Sequence, residues 1–179
     1  TGDLRWEHRR DVPDDIAEYV GGLEDTNRNL AIYGNLIIDT SADDYVFALD
    51  ATTGQVVWET QILDYKTVPA RQSSGPIIAN GKVISGRSCR PRGGPYSCII
   101  TAHDATTGEE LWRTSTIPRP GEPGDESWGG VPFEQRWHVG AWMVPSYDPA
   151  LNLIYMGTSV TAPAPKFRLG GVSNKHLYH

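Results

Sequence analysis

The chain has 179 residues, with 22 Asp and Glu against 16 Lys and Arg, a formal net charge of −6. An acidic surface without a basic stripe argues against nucleic acid or an anionic membrane as the main partner, because phosphate binding needs clustered Lys and Arg. No apolar run approaches the ~18 residues of a membrane span, and 39% hydrophobic with 21% charged residues describes a chain that folds.

Gly 19 and Pro 13, together roughly 18% of the chain, predict many short strands joined by turns. In chain order, Thr1-Gly2-Asp3-Leu4-Arg5-Trp6-Glu7 reads as the second half of a unit that recurs downstream. Leu30–Ile38 reads as a hairpin turning at Gly34. Val46–Thr60 then carries Asp50-Ala51-Thr52-Thr53-Gly54 between two apolar alternating runs. This predicts a second hairpin, with Asp and Thr side chains bonding the turn backbone and Gly taking a positive φ. Pro76–Ile84 repeats the first hairpin, turning at Asn80-Gly81, and Ile100–Thr114 matches Val46–Thr60 without a gap. From Pro118 to Arg136 runs a Pro- and Gly-rich loop, long enough to be functional if ordered and read as a wall of a central funnel. Met143–Asp148 and Leu153–Gly157 form the first hairpin of a third unit, and Thr161–Pro165 reads as a surface crossing.

Trp6, Trp58 and Trp112 stand 52 and 54 residues apart. Four short strands every ~50 residues is the pattern of a β-propeller blade. A β-sandwich also has frequent turns, but gives no reason for Asp, Gly and Trp to recur in register. The expectation is therefore all-β: about three four-stranded antiparallel blades of a partial propeller, with Trp6, Trp58 and Trp112 docking neighbouring blades. Residues 1–8 end a preceding blade, 28–60 and 73–114 form blades, 115–141 the long loop and 142–179 an incomplete blade. At a ~53-residue period the chain holds roughly 3.4 blades, short of the four to eight that close a ring.

Outside the repeats, Arg87, Arg90 and Arg92 form the densest basic cluster and read as a solvated loop, as do the turn pairs Asp14-Asp15 and Asp43-Asp44. Cys89 and Cys98, nine residues apart, suit neither a zinc set nor a Cys-x-x-Cys redox motif. They are read as a structural disulfide of an oxidising compartment, the alternative being two separate thiols. His8, His103, His138, His176 and His179 show no metal spacing; His103 reads as a satisfied blade histidine, and His138 stands where it could face the funnel. No phosphate loop or dinucleotide motif is present.

The Ala-x-Asp-Ala-x-Thr-Gly-x-x-x-Trp unit at Ala48–Trp58 and Ala102–Trp112 resembles the tryptophan-docking repeat of the pyrroloquinoline-quinone (PQQ) dependent alcohol dehydrogenases of the methanol dehydrogenase type. Asp25–Ala31 resembles that family's segment ending in Asn-Arg-Gly-Leu-Ala, and Gly140–Trp142 with Tyr147–Gly157 resembles its Thr-x-Trp followed by Tyr-Asp-Pro-x-Leu-Asn-Leu-x-Tyr-x-Gly. The resemblance implies an eight-bladed periplasmic propeller that oxidises an alcohol by hydride transfer to PQQ and passes electrons to a cytochrome. Carried over by position, Arg28 pairs with a carboxylate or quinone oxygen, Trp142 stacks under the ring system, and Ser73 places a hydroxyl on a cofactor carboxylate.

Departures from the pattern accompany the match. The family's adjacent cysteines are replaced by Leu23-Glu24, its metal-binding Asn by Val160, and its metal-binding Glu falls in Ser88–Pro95, which has no carboxylate. The expectation is that the calcium site is absent or rebuilt. The family's catalytic Asp lies beyond the matched part, so no base is named and the 179 residues alone are expected to be inactive. The alternative reading is a non-enzymatic propeller that binds proteins, similar to an outer-membrane assembly lipoprotein with the same repeats.

Overall fold

The computed structural model describes residues 2–22 and 26–160. Leu23-Glu24-Asp25, the Thr161–Pro165 crossing, His176, His179 and the rest of the third unit lie outside the described residues.

Strands β1 (Ala31–Tyr33), β2 (Leu36–Thr40), β3 (Tyr45–Asp50) and β4 (Val56–Gln61) form one antiparallel sheet in sequence order. The chain continues through β5 (Ala70–Arg71), β6 (Ile77–Ala79), β7 (Lys82–Gly86), β8 (Ser88–Cys89), β9 (Ile99–Asp104) and β10 (Glu110–Ser115). Of these, β6-β7-β9-β10 make a second four-stranded sheet, while β5 and β8 pair as a small ribbon at one end. A final hairpin joins β11 (Ser146–Asp148) to β12 (Leu153–Tyr155). This is the all-β, partial-propeller architecture anticipated from the repeats.

The sheets stack face to face, so the core lies between them. Ile38, Val46 and Ala48 of the first sheet pack with Val83, Ile99 and Ala105 of the second. The far side of the second sheet packs Ala79, Ile84 and Ala102 against Tyr147, Ile154 and Met156 of the third unit. The other face of the first sheet meets the N-terminal segment, where His8 lies 5.9 Å and Arg10 5.5 Å from the Phe47 ring, so Val46, Phe47, Ala48 and Leu49 are all buried instead of alternating.

At one end of each sheet the repeated turns are built alike. Asp50 Oδ1 accepts the N–H groups of Thr52 and Thr53, both at 2.9 Å, and Asp104 Oδ1 those of Thr106 and Thr107 at 2.8 and 3.0 Å. Gly54 and Gly108 close the turns at φ 73° and 77°. A Cβ on either would overlap an indole, that of Trp6 at Gly54 and that of Trp58 at Gly108. Each glycine is therefore required twice, by its backbone and by the docking tryptophan lying on it. Trp6 Nε1 donates to Ala51 O at 2.9 Å, whereas the buried Nε1 of Trp58 has no hydrogen-bond partner among the described residues. Trp112 is 39% exposed.

Three local expectations change. Trp6 lies in a segment, residues 2–13, that joins no strand and meets the first sheet through the side chains of Trp6, His8 and Arg10. Asp43 and Asp44 are buried instead of solvated. Asp43 bonds Arg10 at 3.1 Å, and Asp44 accepts from Arg87 Nε at 2.8 Å in a pair almost sealed from water. Arg87 accordingly leaves the solvated basic cluster for the interior, where Thr101 Oγ1 also accepts from its guanidinium at 3.3 Å.

Candidate functional site

The opposite end of the sheets gathers the strand starts and the irregular connections. The segment entering β1 runs directly against the one entering β6: Asn29 Nδ2 donates to Pro76 O at 2.6 Å, and a Cβ on Gly75 would overlap the Asn29 backbone. That close approach brings Arg28 to Ser73, whose carbonyl accepts from Arg28 Nη1 at 2.8 Å. The Arg28 guanidinium carbon also lies 5.3 Å from the centroid of the Trp142 ring, a cation–π distance. The three residues singled out from sequence for a cofactor thus meet in one place.

They line a cleft of about 500 Å³ with Arg71, Ser88, Cys89, Arg90, Trp137 and His138. Arg71, at the end of β5, donates to the carbonyls of Val20 and Gly21, just past helix α1 (Ile16–Val20). Arg90 follows β8, and sequence reasoning placed it in solvent. The signal that could have found it is its neighbour Cys89, which is disulfide-bonded to Cys98 with Cα atoms 4.9 Å apart. A pinned backbone gives Arg90 a fixed origin.

The disulfide belongs to a small core with Ile117, Trp128, Val131 and Val139. Arg136 fastens the long loop over that core. Its Nε donates to Val131 O at 2.9 Å, its Nη1 to Pro118 O at 3.2 Å and to Asp125 at 2.6 Å, and its guanidinium lies 5.2 Å from the Trp128 ring. The loop is ordered by these contacts, and the residues immediately after Arg136 are delivered to the cleft wall. Gly140 is clamped against the β7–β8 connection: a Cβ there would stand 2.6 Å from Arg87 O and 2.7 Å from Cys89 N.

The cleft therefore presents three guanidiniums, serine hydroxyls and aromatic faces, with no carboxylate among its described lining residues. In a chain of net charge −6 this is a local reversal of sign. Guanidiniums recognise carboxylates bidentately, and an indole offers a flat apolar surface. That donor set fits a planar polyanion such as PQQ. Among the described lining residues it supplies no carboxylate ligand for a cation: Val160 directs its carbonyl to His138, and Ser88–Pro95 contributes Ser88, Cys89, Arg90 and Pro91. Below the cleft, burial pushes the Asp44 carboxyl above its ordinary range and the Arg87 charge opposes it.

Fold and cleft together define a tryptophan-docked partial propeller with an arginine- and tryptophan-lined cleft at the strand starts. Residues 61–167 match the family described as PQQ, the β-propeller domain of glucose, ethanol and alcohol dehydrogenases, and the chain belongs to that family. Quinoprotein alcohol dehydrogenase PedH of Pseudomonas putida is 32% identical over 91% of this chain and 29% of its own length. Methanol dehydrogenase (cytochrome c) subunit 1 of Methylorubrum extorquens is 32% identical over 76% of this chain and 25% of its own. Among solved structures, a europium-containing methanol dehydrogenase superposes with a TM-score of 0.79 at 26% identity, over 96% of this chain and 32% of that one. The chain thus spans about a quarter to a third of the length of these relatives. No helix among the described residues is long and apolar enough to cross a membrane.

Proposed function

We propose that this chain forms part of the cofactor cleft of a periplasmic quinoprotein alcohol dehydrogenase, which oxidises an alcohol by hydride transfer to PQQ and passes the electrons to a cytochrome. The observation that carries the reading is the convergence of Arg28, Ser73 and Trp142, with Arg71 and Arg90 beside them, on one carboxylate-free cleft. When bound, PQQ supplies the electron-accepting quinone. The chain's own residues bind and orient it: Arg28 at a carboxylate or quinone oxygen, the Trp142 face beneath the ring plane, and the Ser73 hydroxyl at a second carboxylate. Arg71 and Arg90 add charge against a tricarboxylate; Arg71 is held beforehand by the carbonyls of Val20 and Gly21, and Arg90 starts from the backbone beside the disulfide. The family membership, the names of the relatives and the disulfide support the same reading. No metal is assigned to the cleft.

The test is a PQQ titration of the full-length apo-protein, followed by quenching of tryptophan emission. Saturable quenching is expected, with the midpoint raised at least ten-fold in Arg28→Ala. Absence of quenching, or an unchanged midpoint in the variant, overturns the reading.

A further inference from the structure

We propose that His138 is the substrate contact of this cleft, its Nε2 accepting a hydrogen bond from the hydroxyl of the alcohol. The inference rests on the quinoprotein reading and adds to it a residue on the substrate side. His138 lines the cleft with Arg28 and Trp142. Its Nδ1 lies 2.9 Å from Val160 O. A carbonyl oxygen only accepts, so Nδ1 carries the proton of that bond, and the tautomer this selects has Nε2 as its lone pair. The other polar side chains at hand are three guanidiniums, which only donate, and serines, which do both. Nε2 is thus the one nitrogen in the described lining that accepts. An acceptor is mismatched to the carboxylates and carbonyl oxygens of a quinone cofactor, whose lone pairs would face it. It is matched to a hydroxyl, the donor that an alcohol brings.

The backbone agrees with a positional role. His138 holds φ at 77°, in the left-handed region that only a few per cent of non-glycine residues occupy, Asn, Asp and His more often than the rest. Strain of this kind persists only where the surroundings impose it. Here they do: Val139 and Ala141 are fully buried, Gly140 is clamped on the β7–β8 connection, and Ser159 N donates to Gly140 O at 3.0 Å. The ring is further braced edge-on by Trp137, with centroids 5.2 Å apart. A surface histidine needs none of this.

The experiment uses the full-length, PQQ-loaded protein with 1-butanol as substrate. His138→Asn keeps a residue at ease with positive φ and an amide N–H that can donate to Val160, while its oxygen acceptor sits on the shorter side chain, short of where Nε2 stands. His138→Gly takes the same φ freely and removes the ring, so it serves if the Asn variant does not fold. Either is expected to raise KM for butanol about five- to ten-fold, the worth of one neutral hydrogen bond, while the PQQ titration midpoint stays within two-fold. Butyl methyl ether, which has no hydroxyl proton, is expected to inhibit wild type and variant equally. An unchanged KM, a parallel loss of PQQ affinity, or ether inhibition that weakens with the variant overturns the assignment and leaves the quinoprotein reading standing. Failure of the wild-type protein to bind PQQ overturns both.

Discussion

The two ends of the same pair of sheets obey different rules. At the turn end, Asp50–Gly54 and Asp104–Gly108 repeat in sequence, in hydrogen bonding and in their positive-φ glycines. At the cleft end the registers still correspond, since Ile38 pairs with Ala48 as Ile84 pairs with Ala102. Three residues further on, however, Ser41 of one repeat answers to Arg87 of the other. One sheet closes with a short turn through Ser41 and Asp44, while the other opens into β8, the disulfide and Arg90. Repetition builds the scaffold, and departure from repetition builds the site. A propeller makes this division natural, because each blade must dock its neighbour in the same way, yet the ligand at the shared end sees each blade from a different side.

The cleft end rests on one buried ion pair, and removing half of it should have the largest effect. Arg87→Ala strands the Asp44 carboxylate between two sheets. It is expected to cost about 3–5 kcal/mol in urea unfolding of the full-length protein, with PQQ affinity falling as the strand starts separate. Arg87→Leu together with Asp44→Asn should recover most of that stability. A loss under about 1 kcal/mol in the single variant would show that the pair is not what joins the sheets here.

At the turn end the corresponding break is a methyl group. Gly54→Ala and Gly108→Ala each place a Cβ into a docked indole at a φ that alanine resists. About 2–4 kcal/mol is expected from strain and overpacking together. The comparison becomes sharper if Gly54→Ala costs more, because only Trp6 adds an indole hydrogen bond, to Ala51. PQQ affinity should stay unchanged in both, in contrast to Arg87→Ala.

One repeat position differs at the turn end as well: His103 stands where the first repeat has Leu49. His103 is fully buried, and neither ring nitrogen has a hydrogen-bond partner among the described residues, Glu110 Oε2 standing 3.8 Å from Nε2, so it is not the satisfied histidine the strand pattern suggested. Burial, together with the nearby Arg87 charge, lowers its pKa to about 4. The unfolded chain takes up a proton near pH 6.5 and the folded chain only near pH 4. Between these values the unfolded state binds more protons, so the contribution is complete above pH 6.5 and is lost as pH falls through the window. The loss is on the order of 3 kcal/mol. His103→Leu, which restores the repeat residue, should flatten the dependence of the unfolding midpoint on pH between 6.5 and 4.

What could be read in the sequence follows the same division. The blades, their turns and the docking tryptophans were legible because their residues recur, and recurrence is independent of any neighbour. Arg28, Ser73 and Trp142 were legible only through resemblance, since nothing local distinguishes them. That they meet depends on Asn29 and Gly75 of different sheets lying backbone to backbone. Arg71, Arg90 and the burial of Arg87 and Asp44 were not legible. Charge in a Gly- and Pro-rich loop looks solvated until a partner some forty residues away is known, as Asp44 is for Arg87.

The smallest expected effect tests whether the turn end repeats in energy as it does in geometry. Asp50 and Asp104 are half-buried, and the backbone N–H groups they accept hold both carboxyls below the usual carboxylate range. Their stabilisation is therefore complete above the ordinary carboxyl pKa and is lost as acid titrates the folded groups. Asp50→Ala and Asp104→Ala should lower the unfolding midpoint by equal, small amounts at pH 7. The double variant should give their sum, because the turns share no side chain and lie on separate sheets. Both differences should shrink together on acidification, since protonating the carboxylate and deleting it remove the same acceptor. Unequal single effects at pH 7 would mean that Asn35, which donates to Asp50 at 2.8 Å, makes the first turn a different structure from the second.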